Sequence, residues 1–292
     1  ACKTELTHFQ MLWDGSGHAL RLTAACQNKK DPHMAILEKF SLNGKVALVT
    51  GGAGLYGRQI VRALAEAGAR TYIASRKLEV LKERAAGYRQ RGHDVRALPL
   101  DQGDESSINA VRDAILRDSG RLHILVNNAV ARPLKDGYFS DAGAIAESMH
   151  VNGTGLILLT RTLGEIMENG GSIINIGSIM GLIGLEPLNY RGTDMDGWAP
   201  DYFFHKGGMT NLTRFLASYY GPRGIRVNCL HPGGLQNQTH PPAFVKNYSE
   251  RTCLGRLAND TDLMGSIVFL ASDASVYVTG TNIPVDGGYT AK

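Results

Sequence analysis

The sequence has few cysteines, and they are widely spaced. No Cys-x-x-Cys pair occurs among the four, which argues against a zinc site and against a disulfide-dense secreted domain. We therefore expect no bound metal, and we expect reduced thiols in a cytoplasmic protein. The four residues are Cys2, Cys26, Cys229 and Cys253.

Strong net charge and long apolar runs are also absent. The formal charge is only +4 over 292 residues, and no Lys/Arg cluster is interleaved with aromatics, so a nucleic-acid partner is not expected. No apolar run approaches the roughly eighteen residues of a membrane span. With 43% hydrophobic and 20% charged residues, the chain has the composition of a soluble globular protein.

Residues 1–33 lack a sustained helical or strand period. They contain no long apolar segment typical of a signal peptide, and Glu5 and Asp14 argue against a transit peptide. We interpret residues 1–39 as a poorly ordered N-terminal extension and residues 40–292 as one domain. A chain that begins at Met34 is expected to fold and to stay active.

Residues 45–60 have the pattern of a strand, a turn and a helix. The apolar run 46–49 fits a strand that is buried on both faces. Four glycines then stand where the backbone turns into a helix, whose free N–H groups and dipole favour a phosphate. A glycine cluster can also form a tight turn without a ligand, but the order of strand, glycines and helix favours a dinucleotide. The glycines are Gly51, Gly52, Gly54 and Gly57.

From there the chain alternates strands and helices, which predicts a parallel sheet with helices on both faces. The expected fold is a doubly wound, Rossmann-like α/β domain. Strands are predicted at 70–75, 95–100, 123–129, 172–176, 225–230 and 283–285, and helices at 78–91, 105–118, 138–167, 202–220 and 261–272.

Ligands of such folds bind beyond the carboxyl ends of the strands, so polar residues at those ends are candidates for one crevice. They are Thr50 with Gly51, Ser75 with Arg76, Asp101, Asn127 with Asn128, Ser178, and His231 with Pro232.

Tyr202 and Lys206 are four residues apart and so share one face of the predicted helix. A nearby ammonium favours a phenolate, which makes a tyrosine a usable general acid or base. Taken alone, such a pair is more often a surface contact between two side chains.

Together these motifs make the chain resemble the short-chain dehydrogenase/reductase family over residues 40–290. The resemblance implies an enzyme that interconverts a secondary alcohol and a ketone with a nicotinamide cofactor, and it implies a homotetramer. The matching motifs, in the family's order, are residues 50–57, Asn127-Asn128-Ala129, Asn152, Ser178, Tyr202-x-x-x-Lys206, Pro232-Gly233 and Asp286-Gly287-Gly288.

The resemblance also implies roles for four residues. Tyr202 would exchange a proton with the substrate oxygen, and Lys206 would assist it and hydrogen-bond the nicotinamide ribose. Ser178 would hold the substrate oxygen, and Asn152 would support a proton-relay water. In isolation, Asn152 could be a buried helix residue and Ser178 a turn residue.

For the cofactor, the end of the second strand is informative. Ser75 followed by Arg76 favours NADP(H), because an acid there would repel a 2′-phosphate that an arginine can bind. Arg76 could instead be a solvated loop charge, which leaves NAD(H) possible. By resemblance, Asp101 would meet the adenine and Asn127 the adenosine ribose. The full predicted cofactor set is Gly51, Gly54, Leu55, Tyr56, Gly57, Ser75, Arg76, Asp101, Gln102, Asn128, Ala129, Tyr202, Lys206, Pro232, Gly233 and Leu235.

Two segments are predicted to form the substrate side. Residues 181–201 are longer than the family usually shows and carry charges, hydroxyls and aromatics, so they either contact a polyhydroxylated substrate or form an inserted surface loop. Residues 235–256 would form the other wall, with Pro241 to Arg251 as a lid. We expect a sugar, sugar acid or polyol, as in gluconate 5-dehydrogenase. The alternatives are a 3-oxoacyl-carrier-protein reductase and, remotely, a non-catalytic dinucleotide-binding regulator.

Overall fold

The computed structural model describes residues 35–195 and 198–292. They contain seven strands: β1 Val46–Thr50, β2 Arg70–Ser75, β3 Val95–Pro99, β4 Leu122–Asn127, β5 Met167–Ile176, β6 Arg226–Pro232 and β7 Asn282–Val285. These form one parallel sheet in the order β3-β2-β1-β4-β5-β6-β7, which confirms the predicted doubly wound α/β fold. The helices are α1 Leu55–Glu66, α2 Leu78–Gln90, α3 Glu105–Ser119, α4 Ala142–Met149, α5 Leu156–Gly164, α6 Pro200–Tyr220, α7 Pro242–Arg251 and α8 Met264–Ala271.

Successive residues of β1 belong to two separate apolar cores. Ala47 and Val49 pack into the core that contains residues of α1, α2 and α8, whereas Val46 and Leu48 pack into the core that contains residues of α3, α5 and α6. Because side chains alternate across a sheet, a strand covered on both faces must be apolar throughout. The apolar residues 46–49 are therefore consecutive and do not alternate with polar residues.

A contiguous helical stretch over residues 142–164 confirms most of the predicted helix 138–167, which extends too far at both ends. Residues 137–139 form a 3₁₀ turn, and α4 begins after Asp141, whose carboxylate caps the helix by accepting from Ala144 N at 2.9 Å. Residues 150–155 then form a π-helical segment between α4 and α5. Helix α5 ends at Gly164, where a Cβ atom would lie 2.2 Å from the Tyr220 hydroxyl.

Some expectations concern residues outside the described ranges. The proposed N-terminal extension and the thiols of Cys2 and Cys26 fall in residues 1–34, so their state remains a prediction. No helix in residues 35–195 or 198–292 is both long enough and apolar enough to cross a membrane.

His123 on β4 should make stability depend on pH. Val46 N–H donates to His123 Nδ1 at 2.9 Å, and burial, followed by the nearby Arg121 and Lys45, lowers the pKa of His123 from 6.5 to about 4. Between these values the unfolded chain binds more protons than the folded one, so stability is full above pH 6.5 and falls as the pH drops through about 4. We expect a loss of about 1 kcal/mol between pH 7 and 5, reduced for the half-buried position of the ring.

Urea unfolding at pH 7 and pH 5 measures this loss. His123→Gln should remove most of it, because glutamine does not titrate, whereas His93→Gln in the loop before β3 should leave it unchanged. An equal pH dependence in wild type and His123→Gln would assign the loss to other groups.

Candidate active site

A cleft of about 840 Å³ opens beyond the carboxyl ends of the strands, within the size range of small-molecule sites. The entire predicted cofactor set lines it, as do Ser178 and Asn237. Asn152, Asn127 and His231 are absent from the lining. The roles assigned to the lining residues remain proposals.

The turn between β1 and α1 is shaped for a phosphate group. Gly51 has φ +66°, a conformation that suits glycine. At Gly57 a Cβ atom would lie 2.2 Å from Gly51 O, so the helix can approach the turn this closely only because residue 57 is glycine. Gly54 precedes α1 and provides no side-chain cap, which leaves N–H groups of the first turn available. This cradle fits the pyrophosphate of a dinucleotide.

Asn127 and Asn128 point in different directions. Asn128 lines the cleft and ties β4 to the glycine turn, because its Nδ2 donates to Thr50 O at 2.9 Å. Asn127 is buried in the core, where its Nδ2 donates to Thr160 Oγ1 at 3.0 Å and Asn175 Oδ1 at 2.8 Å. The expectation that Asn127 meets the adenosine ribose is therefore wrong for its side chain, since successive strand residues face opposite sides.

At the end of β2 the cleft is lined by two exposed cations. Arg76 and Lys77 both belong to the lining, next to Ser75. Asp101, at the end of β3, is the carboxylate on this side of the cleft, and its Oδ1 accepts from Gly103 N at 3.0 Å. A group carrying extra negative charge would meet Arg76 and Lys77 at this end.

Helix α6 places Tyr202 and Lys206 at the cleft floor. Lys206 is 4% exposed, and its Nζ donates to Ile176 O at 2.5 Å and lies 5.6 Å from the centre of the Tyr202 ring. Burial, and to a lesser degree the charge of Arg132, lowers the pKa of Lys206, opposed by Tyr202 and Cys229. The buried ammonium has few hydrogen-bond partners, and its positive charge stabilises a negatively charged oxygen nearby.

Ser178 follows β5 and is buried at the same floor. Its backbone is fixed from the neighbouring strand by His231, whose Nδ1 lies 2.8 Å from Ser178 O and whose Nε2 lies 2.9 Å from Asn282 Oδ1. His231 is fully buried, so it positions the Ser178 peptide and does not face the cleft.

Asn152 lies behind the floor, in the π-helical segment. Its Oδ1 accepts from Ala131 N at 2.8 Å and its Nδ2 donates to Ala131 O at 2.9 Å, which fixes the loop after β4. Its side-chain amide also donates to Ser148 Oγ at 3.1 Å. The side chain is thus fully engaged within the protein, so any role in a proton relay would fall to the backbone of this segment.

Ser148 connects Asn152 to helix α6. Ser148 Oγ also contacts Asp201 Oδ2 and lies 3.1 Å from His205 Nε2, and all three side chains are buried. A hydroxyl has one donor and two acceptor positions, so Ser148 can donate to Asp201 while it accepts from Asn152 and His205. Sequence reasoning missed this cluster, although Asp201 and His205 are four residues apart and each precedes a predicted catalytic residue.

The two predicted substrate segments are joined to each other. Arg251 of α7 forms an ion pair with Glu186 at 2.9 Å, and Asn247 Nδ2 donates to Arg191 O at 2.8 Å. Tyr190 lies between Trp198, at 5.5 Å between ring centres, and Phe244, at 5.6 Å. Residues 181–195 and 198–201 therefore pack on α7 and form a wall of the cleft.

Arg132 lines the cleft and was also missed from the sequence. Its guanidinium lies 4.3 Å from the centre of the Tyr202 ring. The nearest signal in the sequence was its position three residues past the end of the strand predicted at 123–129.

The chain is similar in sequence and in fold to several known proteins. A family model described as enoyl-(acyl carrier protein) reductase matches residues 54–290. The galactitol 2-dehydrogenase (L-tagatose-forming) of Cereibacter sphaeroides is 33% identical over 86% of this chain and 97% of its own length. The D-threitol dehydrogenase of Mycolicibacterium smegmatis is 32% identical over 87% of this chain and 95% of its own length. A solved structure of gluconate 5-dehydrogenase from Burkholderia cenocepacia, in complex with NADP and tartrate, is 29% identical with a TM-score of 0.78, covering 88% of this chain and 100% of that chain.

Proposed function

The chain belongs to the short-chain dehydrogenase/reductase family, and from that premise we propose that it interconverts a secondary alcohol and a ketone on a sugar, sugar acid or polyol with NADP(H). The family places it among oxidoreductases that act on alcohol groups. The substrate class and the preference for NADP(H) over NAD(H) are the proposed parts.

The observation that supports the reaction is the Tyr202–Lys206 pair on the cleft floor, beside Ser178. The bound nicotinamide supplies or accepts the hydride. When the alcohol is oxidised, the Tyr202 phenolate takes the hydroxyl proton while Ser178 holds the oxygen, and Lys206 stabilises the phenolate. In the reductive direction, the Tyr202 hydroxyl gives this proton back to the developing alkoxide.

The substrate class is supported by the relatives and by the wall formed by residues 181–195 and 198–201. Galactitol and threitol are the polyols named for two relatives, and gluconate is named for a structural neighbour. Aromatic rings of the wall can stack on the C–H faces of such molecules.

A second candidate is a 3-oxoacyl-carrier-protein reductase. The family model's description names a carrier-protein reductase, which keeps this alternative open. An acidic carrier would dock through basic side chains, and the exposed Arg76, Lys77 and Arg132 do line the cleft. We favour a free small molecule because two relatives are named for free polyols.

A substrate panel tests the proposal. The full chain is mixed with NADP⁺ or NAD⁺ and, in turn, sugar acids, sugars and polyols, and NAD(P)H is followed by absorbance. The reverse arm uses acetoacetyl-CoA, as a surrogate of the acyl carrier substrate, with NADPH. Turnover of a sugar acid, sugar or polyol supports the proposal, and turnover confined to acetoacetyl-CoA would favour the carrier-linked alternative.

Arg76→Ala should weaken NADPH binding by about ten- to a hundredfold, because a charge-assisted hydrogen bond to the 2′-phosphate contributes about 1.5–3 kcal/mol. NADH lacks that phosphate, so its affinity should change little. Parallel fluorescence titrations measure both affinities, and Arg117→Ala, an exposed arginine on α3 outside the cleft, is the control. An NADH preference unaffected by Arg76→Ala would assign the enzyme to NAD(H).

We also propose a homo-oligomer. Large apolar side chains on α5 and α6 are exposed: Ile157 by 52%, Phe204 by 66%, Phe215 by 62% and Tyr219 by 61%. A second copy that covers this surface would remove the apolar side chains from water. Light scattering of the purified protein measures the oligomeric state.

We also propose a cytoplasmic location, which the free thiols of Cys229 and Cys253 suit.

A further inference from the structure

Arg132 is a charged residue of the cleft lining that the reaction described above does not use. It lies in the loop after β4 and is exposed, and its guanidinium stacks on the ring of Tyr202 at 4.3 Å. A guanidinium stacked on a ring keeps its in-plane N–H groups free to bind a planar anion. The side chain therefore lies over the ring of the reacting tyrosine with its donors available.

The charge of Arg132 is not neutralised by a described neighbour. Within residues 35–195 and 198–292 no carboxylate forms an ion pair with it. Lys206, the cation at the cleft floor, is close enough to Arg132 for their charges to interact. Two cations in one cleft, neither of them in an ion pair with a described carboxylate, favour a negatively charged ligand.

One wall of the cleft is apolar. Tyr190, Trp198 and Phe244 form what we call the aromatic wall, and all three line the cleft together with Met180 and Met195. Trp198 is 42% exposed, although burial of its indole would be favourable. This exposed ring surface suits the C–H face of a substrate's carbon skeleton.

We propose that the substrate is a hydroxy acid whose carboxylate binds Arg132 and whose C–H face packs on the aromatic wall. This inference rests on the proposed function and narrows it, because it selects the acids and disfavours neutral polyols and acyl thioesters. Arg132 then fixes which hydroxyl reaches Tyr202. The carboxylate is bound through paired N–H donors, a geometry that guanidinium and carboxylate share.

Binding of a matched pair of probes tests this. The full-length protein saturated with NADP⁺ is titrated calorimetrically with cyclohexanecarboxylate and with cyclohexanecarboxamide, which differ in charge but scarcely in shape. Wild type should bind the acid about ten- to a hundredfold more tightly, as expected for one charge-assisted pair. Arg132→Gln should bring the acid-to-amide ratio close to one, and Arg132→Lys should keep part of it.

Two further variants separate the parts of the subsite. Lys135→Gln removes an exposed cation three residues away that does not line the cleft, and it should keep the ratio. Trp198→Ala should weaken both probes by a similar factor. A turnover experiment compares kcat/KM for cis-4-hydroxycyclohexanecarboxylate with kcat/KM for its amide. The acid-to-amide ratio of kcat/KM should fall in Arg132→Gln.

The proposal is overturned if wild type binds both probes equally or neither, or if Arg132→Gln keeps the preference for the acid. It is also overturned if Arg132→Gln weakens NADPH binding, because Arg132 would then be a cofactor ligand. Failure of the proposed function looks different: no alcohol or ketone would be turned over with either cofactor, while the acid preference and its loss in Arg132→Gln would persist.

Discussion

Tyr202→Phe is expected to lower kcat by about 10²- to 10⁴-fold, the range that a positioned general acid or base contributes. The substitution removes one hydroxyl and leaves the ring, so the contacts of the ring with Arg132 and Lys206 are kept. Cofactor affinity should therefore change little, and the loss should appear in kcat. Steady-state turnover with the substrate found in the panel, together with NADPH titration, measures both quantities.

Tyr219→Phe is the matched control, because Tyr219 is on the same helix but is exposed and outside the cleft. It should keep wild-type turnover. Full turnover by Tyr202→Phe would contradict the acid–base role, and a chain that binds NADPH but turns over no substrate would revive the idea of a dinucleotide-binding regulator.

The features that could be predicted from the sequence are those in which neighbouring residues carry the whole signal. The run 46–49 is apolar on both faces because both faces are covered, and the glycine pattern follows from the close approach of Gly51 and Gly57. The pair Tyr202 and Lys206 depends only on helical spacing. These local rules suffice for the fold and the floor of the cleft.

The features that were missed depend on contacts between distant segments. The π-helical segment at residues 150–155 contains Asn152, which bonds to Ala131. The burial of Asn127 depends on partners at Thr160 and Asn175. Arg132 can be identified as a cleft residue only from the folded structure, in which the loop after β4 places it over the Tyr202 ring. Spacing along the chain contains no information about such pairings.

Lys206→Met should abolish most activity and yet raise the stability of the folded chain. Without the ammonium, the Tyr202 phenolate loses its stabilising cation, so kcat should fall by about 10²- to 10³-fold, as when one charge-stabilising donor is removed. Stability should rise because Lys206 is buried with one backbone partner, Ile176 O. Replacing a buried charge by an apolar group of similar length can stabilise a protein by about 1–4 kcal/mol.

The pH dependence of this gain tests its cause. Burial holds the pKa of Lys206 below its ordinary value of 10.5, so between its folded and unfolded pKa values the unfolded chain binds more protons and wild-type stability rises with pH. The advantage of Lys206→Met should thus be largest near neutral pH and shrink as the pH approaches 10.5. Urea unfolding across this pH range measures the difference in stability between Lys206→Met and wild type. The control is Lys246→Met, because the Lys246 side chain is 76% exposed, and its stability should lie within about 0.5 kcal/mol of wild type. A less stable Lys206→Met protein would mean that the bond to Ile176 outweighs the cost of burying the ammonium, whereas a more stable, inactive one would show that the enzyme keeps a destabilising charge for its chemistry.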